Sequence, residues 1–157
     1  MKVILLWVGK TTEAYAAKAI AVYEERLKHY LPFQTVTVPE VKAVKSLTEA
    51  QVKEREAEAI LAWVKPENLV VLLDEKGSER TSEEFAVWMQ KKMASGAKNL
   101  VFVIGGPYGF DRKVYEAVGE RISLSKMTFS HQMVRVFLAE QLYRAMTILN
   151  HEPYHHA

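Results

Sequence analysis

Short strand-like runs alternate with helix-patterned stretches along the whole of this 157-residue chain, and that alternation leaves few folds open. Lys2–Val8 is a continuous apolar run of the kind expected in a strand buried on both faces. Phe33–Val38, Asn68–Leu73, Leu100–Ile104 and Arg121–Leu124 read as four further strands. Helical patterns fall between and after them, at Thr11–Tyr30, Thr48–Val64, Thr81–Ser95, Asp111–Val118 and His131–Asn150. A strand–helix alternation of this kind predicts an α/β fold with a mostly parallel sheet and helices on both faces. There is no internal repeat, low-complexity tract or linker, so one domain over 1–157 is expected.

The helix boundaries carry their own signals. Thr48 with Gln51 has capping-box spacing. Thr81 or Ser82, Asp111 and Ser130 are placed to cap the later helices, and Gly96 stops the third. Asp74–Arg80, polar and containing Gly77, reads as a loop, as does Glu40–Leu47. The chain has no cysteine, which excludes disulfides, thiolate metal sites and a cysteine nucleophile and fits a reducing cytoplasm. The apolar run at the N-terminus is too short for a signal-peptide core, and no stretch reaches the ~18 apolar residues of a membrane span. A net charge of +2 is not the basic excess of a protein that holds nucleic acid by charge alone.

Three features carry chemical content. Gly105-Gly106-Pro107-Tyr108-Gly109 follows the fourth strand directly, where ligands of open α/β sheets sit. Its spacing is neither the dinucleotide fingerprint nor a Walker loop, and it admits either close approach to a ligand or a tight strand-to-helix turn. Leu124-Ser125-Lys126-Met127-Thr128-Phe129 follows the fifth strand and mixes polar and apolar groups. It suits a neutral cofactor part such as adenine, or an ordinary connection packed on the core. The last helix is apolar nearly all round, so it needs cover on more than one side, and a partner subunit is one source of it. Within it, Glu140 and Arg144 have i, i+4 spacing, commonly only surface support. His131 and Arg135 share a face at its N-terminus, where the helix dipole favours a neutral imidazole.

Phe102–Phe110, Leu124–Phe129, His131–Arg135, Glu140–Arg144 and Pro153–His155, with Val8-Gly9-Lys10, Tyr23–Leu27 and Leu73, together resemble the RlmH (YbeA) family of SPOUT-class methyltransferases. The match spans essentially the whole chain. Members of that family methylate ring nitrogen 3 of a pseudouridine in large-subunit ribosomal RNA, in the assembled ribosome, with S-adenosylmethionine as donor. The resemblance therefore implies a trefoil knot in the C-terminal half, a homodimer, a cytoplasmic protein, and no metal. It implies a cofactor site at Leu73, Gly105, Gly106 and Leu124–Phe129. It also brings the tail, Pro153-Tyr154-His155, near the site.

The expected chemistry is an in-line displacement at a sulfonium methyl. Arg144 is the first candidate to favour the imide anion, because arginine stays charged and binds carbonyl or phosphate oxygens. His131 is the candidate proton acceptor, Tyr154 a platform for the flipped base, and Arg135 and His155 substrate contacts. For Arg135 a core ion pair is the alternative. A catalytically inactive ribosome-binding dimer of the same fold is the rival reading, and it would carry a bulky residue in the glycine loop.

Overall fold

The structure, a computed structural model, describes residues 1–41 and 46–156. Lys42–Lys45, the middle of the expected Glu40–Leu47 loop, lie outside the described residues. The elements in chain order are β1 (Lys2–Val8), α1 (Ala14–Leu27), β2 (Phe33–Val38), α2 (Glu49–Leu61) and β3 (Asn68–Glu79). They continue with α3 (Ser82–Met93), β4 (Asn99–Ile104), α4 (Arg112–Ala117), β5 (Arg121–Ser123) and α5 (His131–Leu149). All strand pairs are parallel, in the order β2-β1-β4-β3-β5.

The pleat explains why β1 is apolar throughout. Val3, Leu5 and Trp7 point to one face with Phe102 and Ile104, under α1, α3 and α5. Ile4, Leu6 and Val8 point to the other with Val101 and Val103, under α2 and α4. Each fully buried aliphatic side chain among these contributes roughly 1.5–3 kcal/mol of transfer free energy.

The expected caps form. Thr48 accepts from the Gln51 amide and Thr81 from the Glu84 amide, each in a complete capping box. Asp111 and Ser130 accept from the amides of Lys113 and Met133. α1 is shorter than its Thr11–Tyr30 pattern at both ends. At its start the amides of Thr12 and Glu13, which precede the first turn, are bound at 2.8 and 3.1 Å by Oε1 of Gln132, which reaches across from α5. α5 lies between α1 and α3, so these helices and the sheet give it much of the cover its pattern demands. Phe137 is left facing out, 38% exposed.

The expected loop Asp74–Arg80 is corrected by the pairing of β3. Its strand continues to Glu79, and Ile122 of β5 is a partner of both Leu73 and Ser78. The residues between, Asp74–Gly77, make an excursion between two contacts with the same residue. Gly77 is required there. A Cβ at this position would lie 2.4 Å from the carbonyl carbon of Ile122, and backbone cannot move aside.

Gly77→Ala is therefore expected to destabilise the protein by about 1–3 kcal/mol or more, the cost of overpacking against backbone. Urea unfolding at fixed protein concentration measures it, and a wild-type midpoint would refute the close-approach argument.

Candidate functional site

The carboxyl-terminal ends of β4 and β5 and the middle of β3, where its excursion lies, open onto a cavity of about 560 Å³. All the residues expected at the cofactor line it except Lys126, which is exposed on the loop that forms one side. Leu73 comes from β3 just before its excursion and Ile104 from the end of β4, Gly105 and Gly106 from the loop after β4, and Leu124, Ser125, Met127, Thr128 and Phe129 from the loop after β5. His131, exposed at the first position of α5, completes that side with Val134.

The two adjacent glycines serve close packing, not backbone reversal. Neither has positive φ. A Cβ on Gly105 would meet the Phe110 ring at 3.0 Å, and one on Gly106 would meet both carboxylate oxygens of Glu56 at 2.8 Å. Gly109, at φ +79°, makes the reversal, and its amide bonds to Gly106 O at 3.1 Å. The loop is thus a tight turn and a cavity wall at once.

Behind that wall, Glu56 is 4% exposed and its Oε1 has no hydrogen-bond partner. Burial, then the nearby charge of Glu40, pushes its carboxyl above the ordinary range. The β3 excursion is held from two sides. Asp74 Oδ1 accepts from the Lys76 amide at 2.8 Å, and Oδ2 accepts from the Tyr115 hydroxyl. The Arg121 guanidinium lies 4.2 Å from the Tyr115 ring centre. Burial and the Asp74 hydrogen bond push the Tyr115 hydroxyl up to about 12, so it remains a donor at neutral pH. Glu75 accepts from the Thr128 hydroxyl at 2.8 Å and joins the excursion to the loop after β5. None of Asp74, Glu75, Tyr115 or Arg121 stood out in the sequence, because only their meeting at the sheet edge marks them.

Arg135, an expected substrate contact, lies in the interior, 2% exposed. Its Nη2 donates to Val8 O at 2.8 Å, and its Nη1 to Gly9 O and Thr11 Oγ1 at 3.0 Å each. Its guanidinium also lies 5.0 Å from the Trp7 ring centre. It is a strut between α5 and the end of β1, and among the described residues it forms no ion pair.

Arg144, Tyr154 and His155 meet each other but do not line the cavity. Arg144 donates from Nε and Nη2 to Glu140 Oε1 at 3.1 and 2.6 Å, and this pairing raises its pKa further. Tyr154 donates to the same oxygen at 3.0 Å and lies under the guanidinium at 4.8 Å. Arg144 can only donate, so Nδ1 of His155, 3.0 Å from Nη1, accepts. The imidazole proton then sits on Nε2 and is donated to Glu83 at 2.8 Å. Tyr30 donates to Glu152 at 2.7 Å, and Tyr154 packs edge-on against Tyr143 at 4.7 Å. Glu140–Arg144 is therefore a half-buried hub for the tail, beyond the surface support its spacing suggests. Among the described residues there is no group of three or more His, Cys, Asp or Glu that could hold a metal, and no helix long and apolar enough to cross a membrane.

Comparison with known proteins adds the following. The family model described as "Predicted SPOUT methyltransferase" matches residues 1–155. The chain is 56% identical over 156 residues to the ribosomal RNA large subunit methyltransferase H of Parabacteroides distasonis, covering 99% of both proteins. It is 56% identical to that of Bacteroides fragilis and 51% to that of Christiangramia forsetii, with the same coverage. A probable methylase family protein of Haemophilus influenzae Rd KW20 has a similar fold, with a TM-score of 0.51 at 14% identity over 99% of this chain and 70% of that one.

The raised carboxyl of Glu56 has a consequence for stability. A carboxyl whose folded pKa exceeds its unfolded value stabilises the fold fully below the unfolded pKa, and that contribution is lost as pH rises through the folded value. Glu56→Gln is expected to keep the neutral form at all pH. Melting temperature should therefore rise relative to wild type near pH 7 and converge with it toward pH 4. Melting curves across that range that stay parallel for the two proteins would overturn the burial argument.

Proposed function

We propose, from the premise that this chain belongs to the SPOUT methyltransferase family, that it methylates large-subunit ribosomal RNA with S-adenosylmethionine as donor. The finer reading is transfer to ring nitrogen 3 of a pseudouridine, in the assembled ribosome, by a cytoplasmic homodimer of one-domain chains. The cavity at the β3 excursion and the ends of β4 and β5 carries this reading, because all the residues expected at the cofactor except Lys126 line it. Family membership also implies a trefoil knot in this half of the chain.

The residues fit the donor. A cavity of about 560 Å³ has the size of a cofactor site, and its walls mix apolar side chains such as Leu73, Ile104, Leu124 and Phe129 with polar ones such as Asp74, Glu75, Arg121 and Ser125. Leu73, Ile104, Leu124 and Phe129 would cover an adenine face, and the backbone around Gly105, Ser125 and Met127 would read its edge. Asp74 and Ser125 supply the polar groups for a zwitterionic amino acid end. The bound donor supplies a methyl activated on sulfur. Gly105 and Gly106 stand where the inactive-dimer reading would put a bulky residue, which argues against that reading.

The chain's own groups do the rest. His131, on the cavity wall, takes up the imide proton. Arg144 keeps one free N–H on each terminal nitrogen after its bonds to Glu140 and His155, and these bind oxygens of the substrate. Tyr154 offers an aromatic face. Arg144 lies thirteen helical steps along α5 from His131, about 20 Å at 1.5 Å per residue. One chain therefore does not bring both to one base, and a second copy delivers its tail cluster to the first copy's cavity. Outward Phe137 on α5, with Tyr15 and Val22 exposed on α1 at 57% and 45%, gives such a copy apolar surface to cover.

Calorimetry with S-adenosylmethionine tests the donor site. Wild type is expected to bind, and Gly105→Arg, checked for a folded circular dichroism spectrum, is expected not to. A folded wild type that binds no donor would overturn the enzyme reading. For the chemistry, Arg144→Ala is expected to lower turnover at least about tenfold, ~1.4 kcal/mol of barrier, with donor affinity unchanged. His131→Gln is expected to flatten the acidic limb of the pH–rate profile. Full turnover in the first variant, or an unchanged profile in the second, would remove the corresponding role.

A further inference from the structure

The Val8-Gly9-Lys10 stretch belongs to neither the cavity lining nor the tail cluster, yet it stands beside the cavity. Trp7 pairs with Ile104, so the residues after β1 and the glycine loop after β4 leave the same edge of the sheet side by side. Gly9, at φ +82°, turns the chain there. Two side chains of α5 then fix the turn. Arg135 binds Val8 O, Gly9 O and Thr11 Oγ1. Gln132 accepts from the Thr12 and Glu13 amides, and its Nε2 lies 3.4 Å from Lys10 O. Both belong to the helical turns that present His131 and Val134 to the cavity.

The backbone is thus held on both sides of Lys10, while the Lys10 side chain is exposed and makes no ion pair among the described residues. A fixed backbone under a free ammonium is a preorganised donor, with little left to order when a ligand arrives. The cavity's surroundings carry two more exposed lysines, Lys76 on the β3 excursion and Lys126 on the loop after β5, interspersed with the carboxylates of Asp74 and Glu75, while Glu40 stands beside Gly9. Spaced single charges suit a chain of phosphates and not one free anion, which needs donors converging on a point.

We propose that the Gly9–Glu13 turn is an RNA-contacting element, in which the Lys10 ammonium binds a backbone phosphate of the substrate strand at the cavity mouth. This rests on the reading of the chain as a ribosomal RNA methyltransferase. Lys10 holds the strand without touching donor or reacting base.

The test is equilibrium binding of deproteinised large-subunit RNA and of intact large subunits, over a range of salt, by wild type, Lys10→Ala and Lys10→Arg. Donor affinity and melting temperature are measured alongside. Lys10→Ala is expected to weaken RNA binding several-fold and to make the plot of log affinity against log salt shallower by about 0.7, one phosphate contact to single-stranded RNA. Lys10→Arg restores both, donor affinity and melting temperature do not change, and millimolar inorganic phosphate does not reproduce the loss. Wild-type affinity and slope in Lys10→Ala would overturn the proposal. So would a loss seen only with intact subunits, which makes an acidic protein surface the partner, or full displacement of RNA by phosphate. A wild type that binds donor but neither binds nor methylates RNA would sink the parent reading as well. Methyl transfer by wild type with an indifferent Lys10→Ala would sink this one alone.

Discussion

Everything at the functional edge of this molecule hangs on the contact of two backbones, where β3 meets Ile122 twice with Gly77 in between. That contact makes the polar stretch after Leu73 part of a strand and not a free loop. It aims Asp74 and Glu75 at the cavity and brings the loop after β5 within reach of Glu75 through Thr128. Tyr115, a donor held neutral by burial, locks the same excursion from the side of α4. The cavity walls come from three separate chain segments, so their geometry is only as definite as the pairing that gathers them.

α5 is the second organising element. Its first turns hold the β1–α1 connection through Gln132 and Arg135, its middle meets α3 through the Ser82–Gln141 hydrogen bond, and its last half anchors the tail. A buried guanidinium is costly to desolvate, and burial lowers the Arg135 pKa. The Val8 and Gly9 carbonyls and the Thr11 hydroxyl offset that cost with hydrogen bonds to a charged donor, the stronger kind.

The sheet was legible because its signals are local. An unbroken apolar run such as Lys2–Val8 has one good explanation, and Thr48, Thr81, Asp111 and Ser130 cap within three residues of themselves. β3 beyond Leu73 was not legible, because Asp74–Glu79 is polar, contains glycine and becomes strand only through β5. Arg135 reads from the sequence as a substrate contact or half of a core ion pair, and it is buried against carbonyls at the far end of the sequence. Likewise, a pair spaced like Glu140 and Arg144 looks like helix-surface decoration until the tail folds over it. The cofactor residues came from motif resemblance. The residues that hold those loops in place, Tyr115 and Glu56 among them, lie outside the motifs and emerge only in three dimensions.

The position of α5 in chain order also bears on how the molecule is made. A nascent chain that has released β1 through β4 can already form the centre of the sheet and cover one face with α2. On the opposite face, Leu5, Phe102 and Ile104 still lack the helix that closes them. Gln132 and Arg135, which fix the start of α1, come from that same late segment. During synthesis the first turn of the fold thus waits on the last helix, and an apolar face must be shielded until it arrives.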